Sequence, residues 1–235
     1  DPSSNDERID YLPRILNAHV YDVAIETPLE PAPDLSRRLD NRVLLKREDL
    51  QEVFSFKLRG AYNKMAHLTE EQRARGVIAS SAGNHAQGVA LAANELGCRA
   101  VIVMPTTAPE LKVNAVAARG AEIVLHGESY SEAYEHAQEL MHDLGLTFVH
   151  PFDDPDVIAG QGTIALEMLE SMIHLDALVI PLGGDGLISD MASAIKQLAP
   201  AIEVIGVSAL GAPAMKESFD AKRVIDSTSV RTIAD

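Results

Sequence analysis

Cysteine occurs once in these 235 residues, at Cys98, and tryptophan not at all. One thiol cannot close an internal disulfide, so packing must hold the chain together, and the composition suits a reducing, cytoplasmic setting. Positive charge is also scarce: 20 Lys and Arg face 35 Asp and Glu, a net charge of −15. That balance argues against nucleic acid or an anionic membrane as partner, and any phosphate would have to be held by local geometry. No apolar run reaches the length of a bilayer span. The polar start "DPSSNDERID" lacks the apolar core of a signal peptide. Fixed-period repeats and low-complexity tracts are missing too. What is left is a soluble chain long enough to bury one large core or two smaller ones.

From residue 77 onward, short β-rich runs alternate with helical stretches: "VIAS", "HAQGVALAANEL", "AVIVMP", "PELKVNAVAARG", "AEIVLHG", "YSEAYEHAQELMHDLG" and "TFVHPF". This rhythm predicts an α/β fold with a parallel sheet. Gly97, Gly120 and Gly145 each follow a helical stretch, where a left-handed cap is expected. A second series follows, with helix-like "TIALEMLESMI", strand-like "ALVIPL", helix-like "MASAIKQLA" and strand-like "EVIGVSA". Between the two lies "HPFDDPDVIAGQG", whose Pro, Asp and Gly content reads as a crossing between domains.

Three stretches have the composition of chemistry. In "SFKLRGA", residues 55 to 61, Lys57 sits between Phe56 and Leu58 at the start of a helical pattern. Partial desolvation there lowers an amine's pKa and frees it for condensation with a carbonyl; the alternative is a surface lysine with its stem on apolar neighbours. "SSAGNHAQG", residues 80 to 88, turns from a strand into a helix. Such a turn presents backbone N–H groups and a helix dipole to an anion, although Ser and Asn are also ordinary caps. "PLGGDGL", residues 181 to 187, makes a second strand-to-helix turn, with Gly183, Gly184 and Gly186 permitting close approach of a phosphate. Its spacing is not that of the dinucleotide fingerprint, and Asp185 puts a negative charge where the anion would sit.

In this order and spacing, "SFKLRGA", "SAGNHAQG", "IAGQGT" and "PLGGDGL" resemble the motifs of the pyridoxal-phosphate enzymes of the threonine dehydratase family. The similarity runs from "HVYDVAIETPLE" through "LLKRED" and "VIVMPTTAPELKVNAV" to "SVRTIAD". The resemblance implies pyridoxal-phosphate fold type II, in which a small α/β substrate domain, here residues 77–150, is inserted into a larger cofactor domain made of 1–76 and 151–235. It implies pyridoxal 5'-phosphate as cofactor and Lys57 as the catalytic, cofactor-binding lysine, with Phe56 packed beside the ring. Asn84 would bond the cofactor's phenolic oxygen, and Gly183, Gly184, Asp185, Gly186 and Leu187 would surround its phosphate. Ser81, Gly83, Asn84 and His85 would grip the substrate carboxylate. The implied reaction is elimination from L-threonine, or more slowly L-serine, to a 2-oxo acid and ammonia, in a cytoplasmic homo-oligomer without a metal. Ala82 occupies the place of the serine that serves serine racemases as second base, so racemisation is disfavoured.

The chain also departs from the pattern. The phosphate loop normally carries four successive glycines, and Asp185 replaces the third; Asp190 stands where a further glycine is usual, and Leu210 where a cation-site glutamate often stands. The family's pattern also continues beyond Asp235, which leaves the larger domain incomplete. Three readings therefore stand at this point: a threonine dehydratase, a degenerate relative with impaired cofactor binding, and an unrelated α/β ligand-binding domain.

Overall fold

A computed structural model describes residues 9–172, 174–183, 186–225 and 232. In chain order the elements are α1 (Tyr11–Leu16), β1 (Leu29–Pro31), α2 (Pro33–Leu39), β2 (Leu44–Lys46), α3 (Lys57–Ala66), α4 (Glu70–Arg75), β3 (Val77–Ser80), α5 (Asn84–Glu95) and β4 (Ala100–Met104). There follow α6 (Glu110–Ala117), β5 (Glu122–Leu125), α7 (Tyr130–Leu144), β6 (Thr147–Phe148), α8 (Pro155–Ser171), β7 (Ala177–Pro181), α9 (Gly186–Leu198), β8 (Glu203–Val207) and α10 (Ala214–Ala221).

The expected parallel sheet is present, with strand order β5-β4-β3-β6 and every pairing parallel. Its two central strands are buried along their whole length, as strands covered on both faces must be. Side chains alternate between those faces. Val77, Ala79, Ala100, Ile102 and Met104 join the core with α3 and α5, whereas Ile78, Val101 and Val103 pack on Ala133 and Ala137 of α7. Gly97, Gly120 and Gly145 all have positive φ, as their position after helices required. The strand expected over "TFVHPF" is shorter, because β6 pairs with β3 only at Thr147 and Phe148.

The second series builds a two-stranded parallel sheet, β7 with β8. Leu178 and Ile180 point into a core with α8 and α9, while the alternate Ala177, Val179 and Pro181 are exposed.

The segment "HPFDDPDVIAGQG" is not only a crossing. Its second half is the first two turns of α8, started by Asp154, whose side chain accepts from the Asp156 and Val157 amides, and by Pro155 in the first turn. Its glycines serve close packing. A Cβ on Gly160 would lie 2.6 Å from the Arg59 carbonyl oxygen, and one on Gly60 would lie 2.6 Å from that of Val157. Only glycine lets α3 and α8 approach so closely, and this contact seats the helix that begins with Lys57.

Candidate active site around Lys57

Lys57 is the first residue of α3 and is half-buried. Its Nζ donates one hydrogen bond, 2.9 Å long, to the Pro151 carbonyl and lies 5.3 Å from the centre of the Phe56 ring. Desolvation lowers the amine's pKa, and the buried carboxylate of Asp190 opposes that shift. The bland reading of Lys57 as a surface cation does not hold.

Around the start of α3 lie α5 and the segment after β6, which in turn packs on α9. The helix α5 comes nearest at Gly88, where a Cβ would meet the Lys57 carbonyl at 3.1 Å. One turn earlier, its N-terminus carries Gly83 as N-cap without a side-chain capping bond, followed by Asn84 and His85. A helix start left uncapped has amides ready for an anion. Ser81 shapes the turn by accepting from the Gly83 amide at 3.2 Å, and a Cβ on Gly83 would meet nothing within 4 Å. Asn84 is exposed beside that open space.

His85 is buried. Its Nε2 lies 2.9 Å from the Val149 carbonyl, and its Nδ1 is buried without a hydrogen-bond partner. Burial pushes its pKa down to about 3, with Lys57 and His150 adding like-charge repulsion against the Val149 hydrogen bond. The imidazole is therefore neutral at physiological pH.

The segment after β6 supplies the acceptor for Lys57 and links it to α9. Phe152 touches Gly186, where a Cβ would lie 3.0 Å from the Phe152 Cβ. His150 folds back, its Nδ1 accepting from the Phe152 and Asp153 amides. Gly183 borders open space, and Leu187 packs on the core that also receives Phe56. Gly184 and Asp185 lie outside the described residues.

This is a half-buried amine of lowered pKa whose helix packs on α5 at Gly88 and whose acceptor, Pro151, adjoins the Phe152 that packs on Gly186 of α9. The model of the pyridoxal-phosphate dependent enzymes matches residues 20–235. The chain belongs to that family. It is 56% identical over 232 residues to the biosynthetic L-threonine dehydratase IlvA of Burkholderia multivorans, covering 96% of this chain and 45% of the relative. It is 55% identical to the chloroplastic biosynthetic threonine dehydratase of Arabidopsis thaliana, covering 91% of this chain and 36% of that one. Among solved structures, the processed threonine deaminase isoform 2 of Solanum lycopersicum superposes with a TM-score of 0.94 at 51% identity, over 99% of this chain and 64% of its own. Maize serine racemase superposes at 0.93 with 33% identity, over 95% and 69%. The fold is accordingly pyridoxal-phosphate fold type II. The chain spans less than half the length of the curated relatives it matches.

The residues fit the family's cofactor. An aldehyde needs an unprotonated amine, which burial of Lys57 favours; a phosphate needs glycine-lined helix starts, which Gly183 and Gly186 supply. The buried and unsatisfied Nδ1 of His85 and Oγ of Ser80 mark polar positions at the turn from β3 into α5. Sequence reasoning missed His150 and Pro151. "HPF" carries no recognisable signal, because Pro151 acts through a backbone carbonyl.

Proposed function

We propose that this chain is the catalytic portion of a threonine dehydratase, which converts L-threonine to 2-oxobutanoate and ammonia, the first step of isoleucine biosynthesis, and uses L-serine more slowly. The observation that carries this reading is the half-buried Lys57 amine, held by a single carbonyl between the starts of α5 and α9.

On this reading residues 77–150 hold the substrate, and the flanking segments hold pyridoxal phosphate. Lys57 and Phe56 would meet the cofactor ring, Asn84 its phenolic oxygen, and the turn from Gly183 to Leu187 its phosphate. When bound, the cofactor supplies an aldehyde for an amine and an electron sink for a carbanion. The chain's own part is positioning and proton transfer. Ser81, Gly83, Asn84 and His85 bring free amides and the dipole of α5 to the substrate carboxylate. A neutral His85 serves there as a hydrogen-bonding group and adds no charge. Lys57, its pKa lowered by burial, takes the α-proton at Nζ, after which the β-hydroxyl leaves. Ala82 offers only a methyl group on the opposite side, so the proton is not returned there and racemisation is slow. We infer a homo-oligomer, as implied by the family resemblance.

The test is release of 2-oxobutanoate when the full-length protein is given pyridoxal phosphate and L-threonine. Keto acid should form, chiral analysis should find little D-serine from L-serine, and Ala82→Ser should raise the D-serine yield. Failure to bind cofactor, with no keto acid formed, would favour the degenerate relative, for which Asp185 in the phosphate loop is the reason.

A further inference from the structure

After β6 the chain stays tied to the sheet for one more residue, the Val149 amide donating to the Ile78 carbonyl, and then runs through "HPF". Alternate carbonyls of this segment serve the site: that of Val149 takes the His85 Nε2 at 2.9 Å, and that of Pro151 takes the Lys57 amine at 2.9 Å. Pro151 has no N–H with which to anchor itself. The His150 ring anchors the turn from outside it. Its Nδ1 accepts from the Phe152 amide at 3.3 Å and from the Asp153 amide at 2.7 Å, so the two bonds close around Pro151. The ring also meets Phe152 edge-on, their centres 4.7 Å apart, and Phe152 packs on Gly186 at the start of α9. An amide only donates. Nδ1 must therefore be bare, and the neutral ring carries its hydrogen on Nε2. Among the described residues, the titratable groups that act on this ring are Asp153 and Asp154 of the same segment and Lys57 of α3, and the ring acts in turn on His85 of α5. Burial holds its pKa below the ordinary 6.5, opposed by Asp153 and Asp154 and aided by Lys57.

Taking Lys57 as the cofactor-binding amine, we propose that His150 is a positioning residue for it: by binding the Phe152 and Asp153 amides, the bare Nδ1 aims the Pro151 carbonyl at Lys57 Nζ and Phe152 at the start of α9. The ring acts through backbone and needs no contact with substrate or cofactor. Protonation would set an N–H against two amide hydrogens and release the turn, so the arrangement exists only with the neutral ring. A carbonyl that accepts from an amine favours its charged form. Release of the turn therefore lowers the pKa of Lys57 as well as freeing its Nζ from a fixed place.

Two measurements on the full-length protein test this without cofactor. In the first, histidine isotopically labelled at its ring nitrogens reports the tautomer by NMR, the His150 signals being those lost in His150→Asn. They should show a hydrogen on Nε2 and none on Nδ1 at neutral pH; a hydrogen on Nδ1 would overturn the proposal. The second is reductive methylation with formaldehyde and cyanoborohydride, read lysine by lysine by peptide mass spectrometry across a pH series. His150→Leu, or His150→Ala should the leucine chain not fold, should move the Lys57 midpoint about one pH unit lower, so that Lys57 reacts about tenfold faster at neutral pH. His150→Asn, whose side-chain oxygen can accept from the amide two residues on, should stay near the unaltered chain. Lys196 and Lys216, bonded elsewhere, should keep their profiles in every variant. An unchanged Lys57 midpoint without the ring, or an equal shift in His150→Asn, would overturn the proposal. Failure of the underlying reading looks different: pyridoxal phosphate followed by borohydride would leave Lys57 unlabelled although formaldehyde reaches it.

Discussion

Lys57 and Arg59 leave the first turn of α3 two residues apart and meet different company. Arg59 is completely buried and bonded on every side: to Glu48 through two nitrogens at 2.9 Å, to Glu167 at 2.5 and 3.0 Å, to Thr163 Oγ1 at 3.1 Å and to the Ile25 carbonyl at 3.2 Å. Lys46 adds a second cation on Glu167 at 2.5 Å, and Tyr21 donates to the same carboxylate at 2.9 Å. Two cations and two anions cancel. Although burial pulls the guanidinium down, its hydrogen bonds to Glu48 and Glu167 raise its pKa overall. Lys57, in contrast, has one carbonyl acceptor and a lowered pKa. A buried cation with its bonds saturated fixes structure; one with a single acceptor among the described residues is available for chemistry.

Substitution separates the two roles. Lys57→Ala should cost activity on the order of 10²–10⁴-fold or more, the scale for loss of a proton-transferring group, with little change in melting temperature. Arg59→Met should do the reverse, destabilising the chain by about 3–5 kcal/mol in urea unfolding because Glu48 loses its guanidinium partner and the buried Glu167 keeps only Lys46. Adding Glu167→Leu should recover part of that loss. A stable Arg59→Met chain with dead chemistry would erase the contrast.

His85 sharpens it through pH. Its folded pKa of about 3 lies below the unfolded value of 6.5, so the unfolded chain gains a proton first as pH falls. Stability from this group is complete above pH 6.5 and declines toward pH 3, by about 1.4 kcal/mol per pH unit. His85→Gln should remove that slope from a urea series between these limits. An equal slope in both chains would mean that His85 reaches water.

The smallest effect is steric. Gly88→Ala puts a Cβ 3.1 Å from the Lys57 carbonyl and the Leu58 amide. The helices α3 and α5 must then part slightly, at a cost of roughly 1–3 kcal/mol, readable as a lower urea midpoint. No loss would show that α5 does not press on the lysine.

Where the chemistry is local, the sequence was legible. Alternating strands and helices, left-handed glycines and the helix starting at Lys57 all follow from short-range pattern. That "DDPDVIAGQG" opens α8 was not legible, because glycine serves both loops and tightly crossed helices, and only the partner helix decides between them. The site followed the same division. Lys57 and the two turns could be read from their motifs, but the Pro151 carbonyl, the burial of His85 and the nearness of Asp190 depend on contacts across more than 60 residues of chain. Arg59 gave no sign of its network, because its partners Glu48 and Glu167 lie on separate elements.

The central claim is that, of two neighbouring cations on α3, Lys57 is the one that reacts. Pyridoxal phosphate followed by borohydride reduction and peptide mapping tests it directly. The account predicts the reduced cofactor on Lys57 and its loss in Lys57→Ala; label on Lys46, Lys64 or another lysine in its place, or none at all in the full-length protein, would contradict it.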